Sequence, residues 1–236
     1  MDNMRLSLII PCFNESKNLP SLLKRCKTLT AEPGVEVILV DNGSTDDTKD
    51  VLSRLLTLTP GCRSVCVDVN RGYGYGIIEG LKAANGEILA WTHADMQTDP
   101  VDALRGLRIY EAEKNKGLFI KGRRRARPFF DVVFTIGMSI FETILLRRRL
   151  WDINAQPTMF HRSFFNTWEN PPDDFSLDLY AYFLAREADL EVRRFTVSFE
   201  NREHGTSHWN VSWASKKKFI LRTIDFSVKL KNAIKK

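Results

Sequence analysis

Metal-spaced cysteines, a lysine-closed phosphate loop and an uninterrupted long apolar run are all missing from this chain, and each absence removes a class of function. Its four cysteines are Cys12, Cys26, Cys62 and Cys66. The C-x3-C pair has no histidine beside it, so it fits neither a zinc knuckle nor a C-x-x-C redox pair. Reduced, partly buried thiols in a cytosolic protein are expected instead. Pro11–Glu15 follows the first apolar run where a sugar-nucleotide-forming nucleotidyltransferase would carry a glycine-rich loop with lysine. Met1–Arg5 lacks the apolar centre of a signal peptide, which again predicts a cytosolic location. The one long apolar stretch, Phe129–Leu146, contains Asp131 and Glu142, whose charges would be costly inside a bilayer. It reads as a helix packed on the protein or lying at a membrane surface. Neither a repeat nor a low-complexity linker occurs.

What is present is ordinary in amount and uneven in placement. The 236 residues are 43% hydrophobic and 27% charged, enough for one sizeable domain or two small ones, with net charge +6. The excess cations gather at Lys121–Arg127, at Arg147-Arg148-Arg149 and near the C-terminus. Clustered cations call for anionic partners: nucleic acid, phospholipid headgroups or phosphorylated substrates. Nucleic acid is set aside, because the cations flank apolar segments and no nucleic-acid-binding signature appears.

Short apolar runs alternate with helix-spaced segments. Leu6–Ile10, Val35–Val40, Val65–Val69, Gly86–Thr92 and Leu118–Lys121 read as strands. Asn18–Leu29, Asp46–Leu56, Gly76–Asn85 and Val101–Asn115 read as helices. That alternation predicts βαβ units and a parallel sheet. Further on, Asp178–Ala188 reads as helix and Leu190–Phe199 as strand. From Trp213 the chain reads as one basic amphipathic helix, with Phe219, Ile220, Ile224, Val228 and Leu230 on its apolar face. Such a helix suits either an anionic bilayer surface or docking to the domain.

The apolar run Ile88–Trp91 ends in Thr92–Pro100, which carries His93, Asp95, Gln97 and Asp99. If the strand continued, these odd-numbered residues would share one face at a strand's C-terminal end, where parallel α/β sheets bind ligands. Hard oxygen donors there suit Mg²⁺ or Mn²⁺ escorting a phosphate. The alternative for Asp99 is a cap on the helix that begins near Pro100.

Four motifs follow four successive strands: Pro11-Cys12-Phe13-Asn14-Glu15, Asp41-Asn42-Gly43-Ser44-Thr45-Asp46, Asn70–Gly76 and His93-Ala94-Asp95-Met96-Gln97. Together they resemble family 2 inverting glycosyltransferases, and more narrowly the polyprenyl-phosphate sugar synthases, over about residues 5–210. The resemblance implies a GT-A fold: α/β, a mostly parallel central sheet flanked by helices, over residues 1–210. The amphipathic C-terminal helix would occupy 211–236. It implies transfer of a sugar from a UDP- or GDP-sugar, with Mn²⁺ or Mg²⁺, to a polyprenyl phosphate at the cytoplasmic membrane face. The alternatives are transfer to a sugar hydroxyl in glycan assembly, or an inactive relative acting as a scaffold. Peripheral membrane association is expected, and a homo-oligomer is left open.

Residue by residue, the resemblance assigns the nucleotide sugar to Pro11, Phe13, Asn14, Glu15, Asp41, Asn42, Gly72, Gly76, Ala94, Asp95, Arg123, Arg202 and Ser207. It assigns the metal to Asp95 and Gln97, with His93 standing where an acid is usual. The candidates for catalysis are Asp95, Asp178 and Arg202. Asp46 reads better as a helix cap than as a ligand. The basic residues Arg124, Arg125 and Arg127 read as a solvated loop. Asp152 and Phe160 match a D-x-x-x-G-F-[RK] segment with Gln156-Pro157-Thr158 in place of its glycine and cation. Tyr180 replaces a glutamate after Asp178. Arg202–Ser207 matches R-x-x-G-x-S, and His208 stands where lysine is usual, so phosphate binding is expected to weaken above about pH 6.5.

Overall fold

A computed structural model describes residues 4–125, 127–200, 202, 204 and 213–234. The first five strands follow the apolar runs: β1 (Leu6–Cys12), β2 (Val35–Asn42), β3 (Cys62–Val67), β4 (Ile88–Trp91) and β5 (Leu118–Arg125). Between them lie α1 (Leu19–Thr30), α2 (Thr48–Leu56), α3 (Tyr73–Ala83) and α4 (Asp102–Glu113). The second half adds α5 (Phe129–Leu146), β6 (Thr158–His161), α6 (Arg162–Phe165), α7 (Leu177–Glu187), β7 (Glu191–Ser198) and α8 (Trp213–Ile234). The strands form one sheet in the order β3-β2-β1-β4-β6-β5-β7. All neighbours are parallel except β6, which runs antiparallel to both β4 and β5.

Alternation along the central strands feeds two cores. Leu6, Leu8 and Ile10 meet α1 and α4 through Leu19, Leu22, Cys26, Ala103 and Leu107 on one face. Ile9, Ile38, Val40 and Trp91 meet α3 and α7 through Ile77, Leu81, Leu177 and Phe183 on the other. Near-continuous apolar runs are what a sheet covered on both faces requires. The resulting doubly covered, mostly parallel sheet carries its loops at the strands' C-terminal ends.

Three expectations are corrected here, and one of two open alternatives is taken up. Helix α3 starts at Tyr73 rather than Gly76, because Gly72 at φ +126° turns the chain directly into it. A Cβ at Gly72 would lie 2.4 Å from the Asp173 carbonyl oxygen, so this glycine lets α3 begin against residues 172–174. Strand β5 runs on to Arg125, paired with β7 through Ser198. Strand β4 stops at Trp91, so His93, Asp95, Gln97 and Asp99 occupy a turn, with Met96 at φ +58°, and share no strand face. Finally, the C-terminal helix uses part of its apolar face for docking. Phe226 and Leu230 pack against the second core, while buried Ser227 donates to Glu142 of α5 at 2.8 Å.

Helix α5 keeps the boundaries its apolar stretch predicts and exposes Phe129, Val133, Ile140 and Ile144. Among the described residues, no helix is long and apolar enough to cross a membrane.

Candidate active site

The tips of β1 and β2 are laced together by Asn14. In a left-handed conformation (φ +57°), its Oδ1 accepts from the Thr45 and Asp46 amides at 2.8 and 3.3 Å, and its own amide donates to Ser44 Oγ at 3.1 Å. Asp46 receives the Thr48 amide at 3.0 Å, which fulfils its reading as a cap. It also receives the Ser16 amide at 3.3 Å. Asp41 is buried at the end of β2 and accepts from the Ser44 amide at 3.1 Å. Asn42, also buried, donates to the Gly72 carbonyl at 2.8 Å, and Gly76 lies directly against its side chain. Asn14, Asn42, Gly72 and Gly76 thus shape the walls through contacts among themselves and with their neighbours. Pro11 lies within β1, one residue before its end, and Phe13 just beyond the strand is exposed.

The turn after β4 divides by chemistry. Asp99 accepts from the Val101 amide at 2.9 Å, just ahead of α4, and lies 3.6 Å from Arg25, so its carboxylate is engaged away from Asp95. Asp95, only 6% exposed, takes the Gln97 amide on Oδ1 at 3.2 Å. Its Oδ2 is 2.9 Å from Arg202, whose Nε donates to Gln97 Oε1 at 3.2 Å. One guanidinium therefore spans the carboxylate and the amide oxygen. The segment carrying Arg202 is strapped down further, as Gln97 and Glu200 exchange backbone and side-chain bonds at 2.9 and 3.3 Å. Asn18 donates to both Glu15 and the His204 carbonyl. Glu15 lies in the field of Asp95 and Arg202. Burial and the Asp95 charge raise its carboxyl pKa, against the lowering effect of Asn18 and Arg202. Ala94 is buried in the same turn.

The oxygens of Asp95 and Gln97 are hard donors, already bridged by a cation, and Glu15 is close by. That donor set fits a divalent ion such as Mg²⁺ or Mn²⁺ once Arg202 moves aside. His93 faces elsewhere: its ring stacks on Tyr73 at 5.3 Å, and Tyr73 stacks in turn on Phe175 at 4.6 Å. Among the described residues, no three His, Cys, Asp or Glu side chains are grouped to hold a metal. Oxygens from a bound diphosphate and water would complete the shell.

Beneath this wall sits Asp178, 1% exposed on α7. Its Oδ1 accepts from Gln156 at 2.8 Å and Trp91 at 3.3 Å, with the Lys121 ammonium 3.9 Å away. The Tyr73 hydroxyl also bonds Asp178, and burial with that negative charge pushes its pKa well up. Gln156 also donates to the Tyr73 hydroxyl at 3.3 Å. The sequence reading passed over Gln156, Tyr73 and Lys121. Lys121 was hidden in an apolar strand, although it donates to Thr158, the residue standing where the resemblance expects a cation.

Two of the three arginines expected in solvent are paired instead. Arg123 is exposed and donates to Thr196 at 3.3 Å. Arg124 and Arg127, expected in solvent, close on buried Asp152 instead. Burial raises the Asp152 pKa, but the two guanidiniums outweigh it and hold the carboxyl low. Strand β5 continues where a loop was expected, and its alternation sends neighbours to opposite faces. The Ser207 and His208 expectations lie outside the described residues.

A model of "Glycosyl transferase family 2" matches residues 7–166, well over half of the chain. The chain belongs to glycosyltransferase family 2. An undecaprenyl-phosphate 4-deoxy-4-formamido-L-arabinose transferase of Sodalis glossinidius is 36% identical over 157 residues, covering 64% of this chain and 42% of that protein. The enzyme of the same description from Serratia proteamaculans is 36% identical over 113 residues, 45% of this chain and 34% of that one. The chain thus spans well under half the length of the curated relatives it matches. Among solved structures, glucosyl-3-phosphoglycerate synthase from Mycobacterium tuberculosis, with Mn²⁺, UDP and glucosyl-3-phosphoglycerate, superposes with TM-score 0.70 at 16% identity. That superposition covers 97% of this chain and 80% of that one. A Pyrobaculum calidifontis mannosyltransferase with GDP-mannose and Mn²⁺ gives TM-score 0.70 at 17% identity, over 95% and 64%. The GT-A fold of this family 2 member follows from that agreement. Asp178 and Arg202 lie beyond the family-model match, so their roles rest on geometry.

Proposed function

We propose that this family 2 chain transfers a sugar from a UDP- or GDP-sugar to a polyprenyl phosphate, with inversion, at the cytoplasmic surface of a membrane. One observation carries the reading: Arg202 bridges Asp95 and Gln97 beside Glu15 at the strand tips, a cation already seated on the oxygens that would face a diphosphate. Departure of the nucleoside diphosphate builds negative charge, and a divalent ion held by Asp95 and Gln97 would supply a compensating charge there. Arg202, permanently cationic, is tethered where it can turn from Asp95 to a phosphate and hold it by two parallel bonds. Asp41 and Glu15 offer acceptors to the base and ribose, and Tyr73 with His93 forms an aromatic wall.

The state of Asp178 favours a phosphate acceptor over a sugar hydroxyl. A hydroxyl must lose a proton to a base, whereas a lipid phosphate arrives as an anion. Asp178 is sealed from water and already bonded to Trp91, Gln156 and Tyr73, which suits orientation better than proton removal. The curated relatives named above, whose descriptions specify undecaprenyl phosphate, support the same acceptor class. Exposed apolar residues on α5, followed by Arg147, Arg148 and Arg149, support contact with an anionic bilayer.

The test is release of nucleoside diphosphate from a panel of UDP- and GDP-sugars, with Mn²⁺ and vesicles bearing undecaprenyl phosphate. Release should require both the lipid phosphate and the metal, and a chelator should stop it. Asp178→Asn should lower the rate by about tenfold; a loss nearer a thousandfold would instead favour a hydroxyl acceptor with Asp178 as its base. No release from any donor would overturn the reading.

A further inference from the structure

We infer that Lys121 is a positioning residue: from within β5 it holds the Asp178 carboxylate in place, and through Asp178 it fixes Tyr73 in the wall of the cleft. Its rate measurements rest on the glycosyl-transfer reading, while its structural part stands without it.

Lys121 has no exposed surface, a position lysine almost never takes unless it is paired. Packing alone does not call for it. Its ammonium lies 5.9 and 5.8 Å from the ring centres of Phe119 and Tyr182, where an aliphatic side chain would fill the space without the cost of removing an ammonium from water. What a lysine adds is placement of charge. The β5–β6 register sets Lys121 opposite Thr158, and its Nζ donates to Thr158 Oγ1 at 2.6 Å while lying 3.9 Å from Asp178 Oδ1. That same oxygen receives Trp91 from β4 and Gln156 from the turn before β6. Donors from three directions pin the carboxylate, and Tyr73, bonded to it, stacks on His93 and Phe175. A chain of contacts thus runs from the interior of β5 to the aromatic wall.

The charges facing Lys121 come from every packed element. Asp178 on α7 and Asp152 before β6 favour its ammonium form, while Arg194 on β7 and Arg124 on β5 oppose it. Burial dominates and brings it down to about 7. The amine is therefore charged below about pH 7 and acts as a neutral donor above. Loss of the amine should cost most at low pH, where the ammonium attracts the Asp178 carboxylate, and matter little at high pH.

Two variants test this, Lys121→Met and Lys121→Gln. In wild type the ¹³C shift of the Asp178 carboxyl carbon should step near pH 7 as the neighbouring amine titrates, and each variant should lack that step. The kcat for nucleoside diphosphate release should fall severalfold below wild type at about pH 6 and reach the wild-type rate by about pH 8, with donor KM nearly unchanged. A rate deficit equal at every pH, or a step near pH 7 that survives in the variants, would overturn the inference. Where Lys121→Met does not fold, Lys121→Gln, which keeps a donor for Thr158, carries both measurements. Wild-type protein without turnover would sink the glycosyl-transfer reading and leave the NMR comparison decisive for Lys121.

Discussion

Asp95 and Arg202 pair closely at the cleft, and the pairing sets a competition. A guanidinium and a divalent ion cannot occupy the same two oxygens, so metal binding must displace Arg202. Asp95→Asn removes the charged ligand, and its Mn²⁺ affinity in the presence of nucleoside diphosphate should fall by at least about tenfold in calorimetry. Arg202→Gln should behave oppositely, binding Mn²⁺ alone more tightly because the competitor is gone, while releasing nucleoside diphosphate more slowly. Much at this scale was legible in the sequence. Asp95, Gln97 and Arg202 come together as their motifs imply, and Asp46 accepts from the first amide of its helix. Asn14, read as a ligand, also laces two loops, because its left-handed backbone aims the side chain at Thr45. Nothing in a sequence reports which face of β5 Arg123 or Arg124 occupies once the strand runs past Lys121.

Among the elements, the parallel strands and their helices were readable because apolar runs and helix-spaced segments alternate along the chain. Strand β6 was not. Its four residues pair with β4 and β5 over large sequence separations, and nothing local announces it. Helix α5 kept its predicted limits, yet the contact that joins it to α8 is polar: Glu142 on Ser227. Burial lifts the Glu142 carboxyl to about 7, against the pull of the serine, and among the described residues its other oxygen has no hydrogen-bond partner. The sign follows. Its folded pKa lies above the unfolded value, so the stability it contributes is full below about pH 4.5 and is lost as pH rises through about 7. Glu142→Gln cannot ionise, so it should match wild type near about pH 4 and exceed it by about 3 kcal/mol at pH 8, read from urea denaturation.

For the whole molecule, the distribution of apolar and basic surface matters more than the net charge of +6. Phe129, Val133, Ile140 and Ile144 are exposed on α5, Trp151 lies just beyond it, and three arginines intervene. Ile140→Asp with Ile144→Asp should reduce sedimentation with anionic vesicles severalfold and leave thermal stability nearly unchanged, since both side chains already face water. Unchanged sedimentation would point to a soluble acceptor.

The reversed direction of β6 carries a consequence for how this architecture can vary. Its neighbours deliver functional groups where they finish, whereas β6 delivers Gln156 where it starts, through the connection that leaves α5. Inserting or deleting one amino acid in that connection would rotate Thr158–His161 by half a period. Phe160 would then exchange its aromatic neighbours for the opposite layer, and Lys121 would face a different partner. Length variation should therefore be barred between Trp151 and Pro157, even though the segment lies outside regular structure.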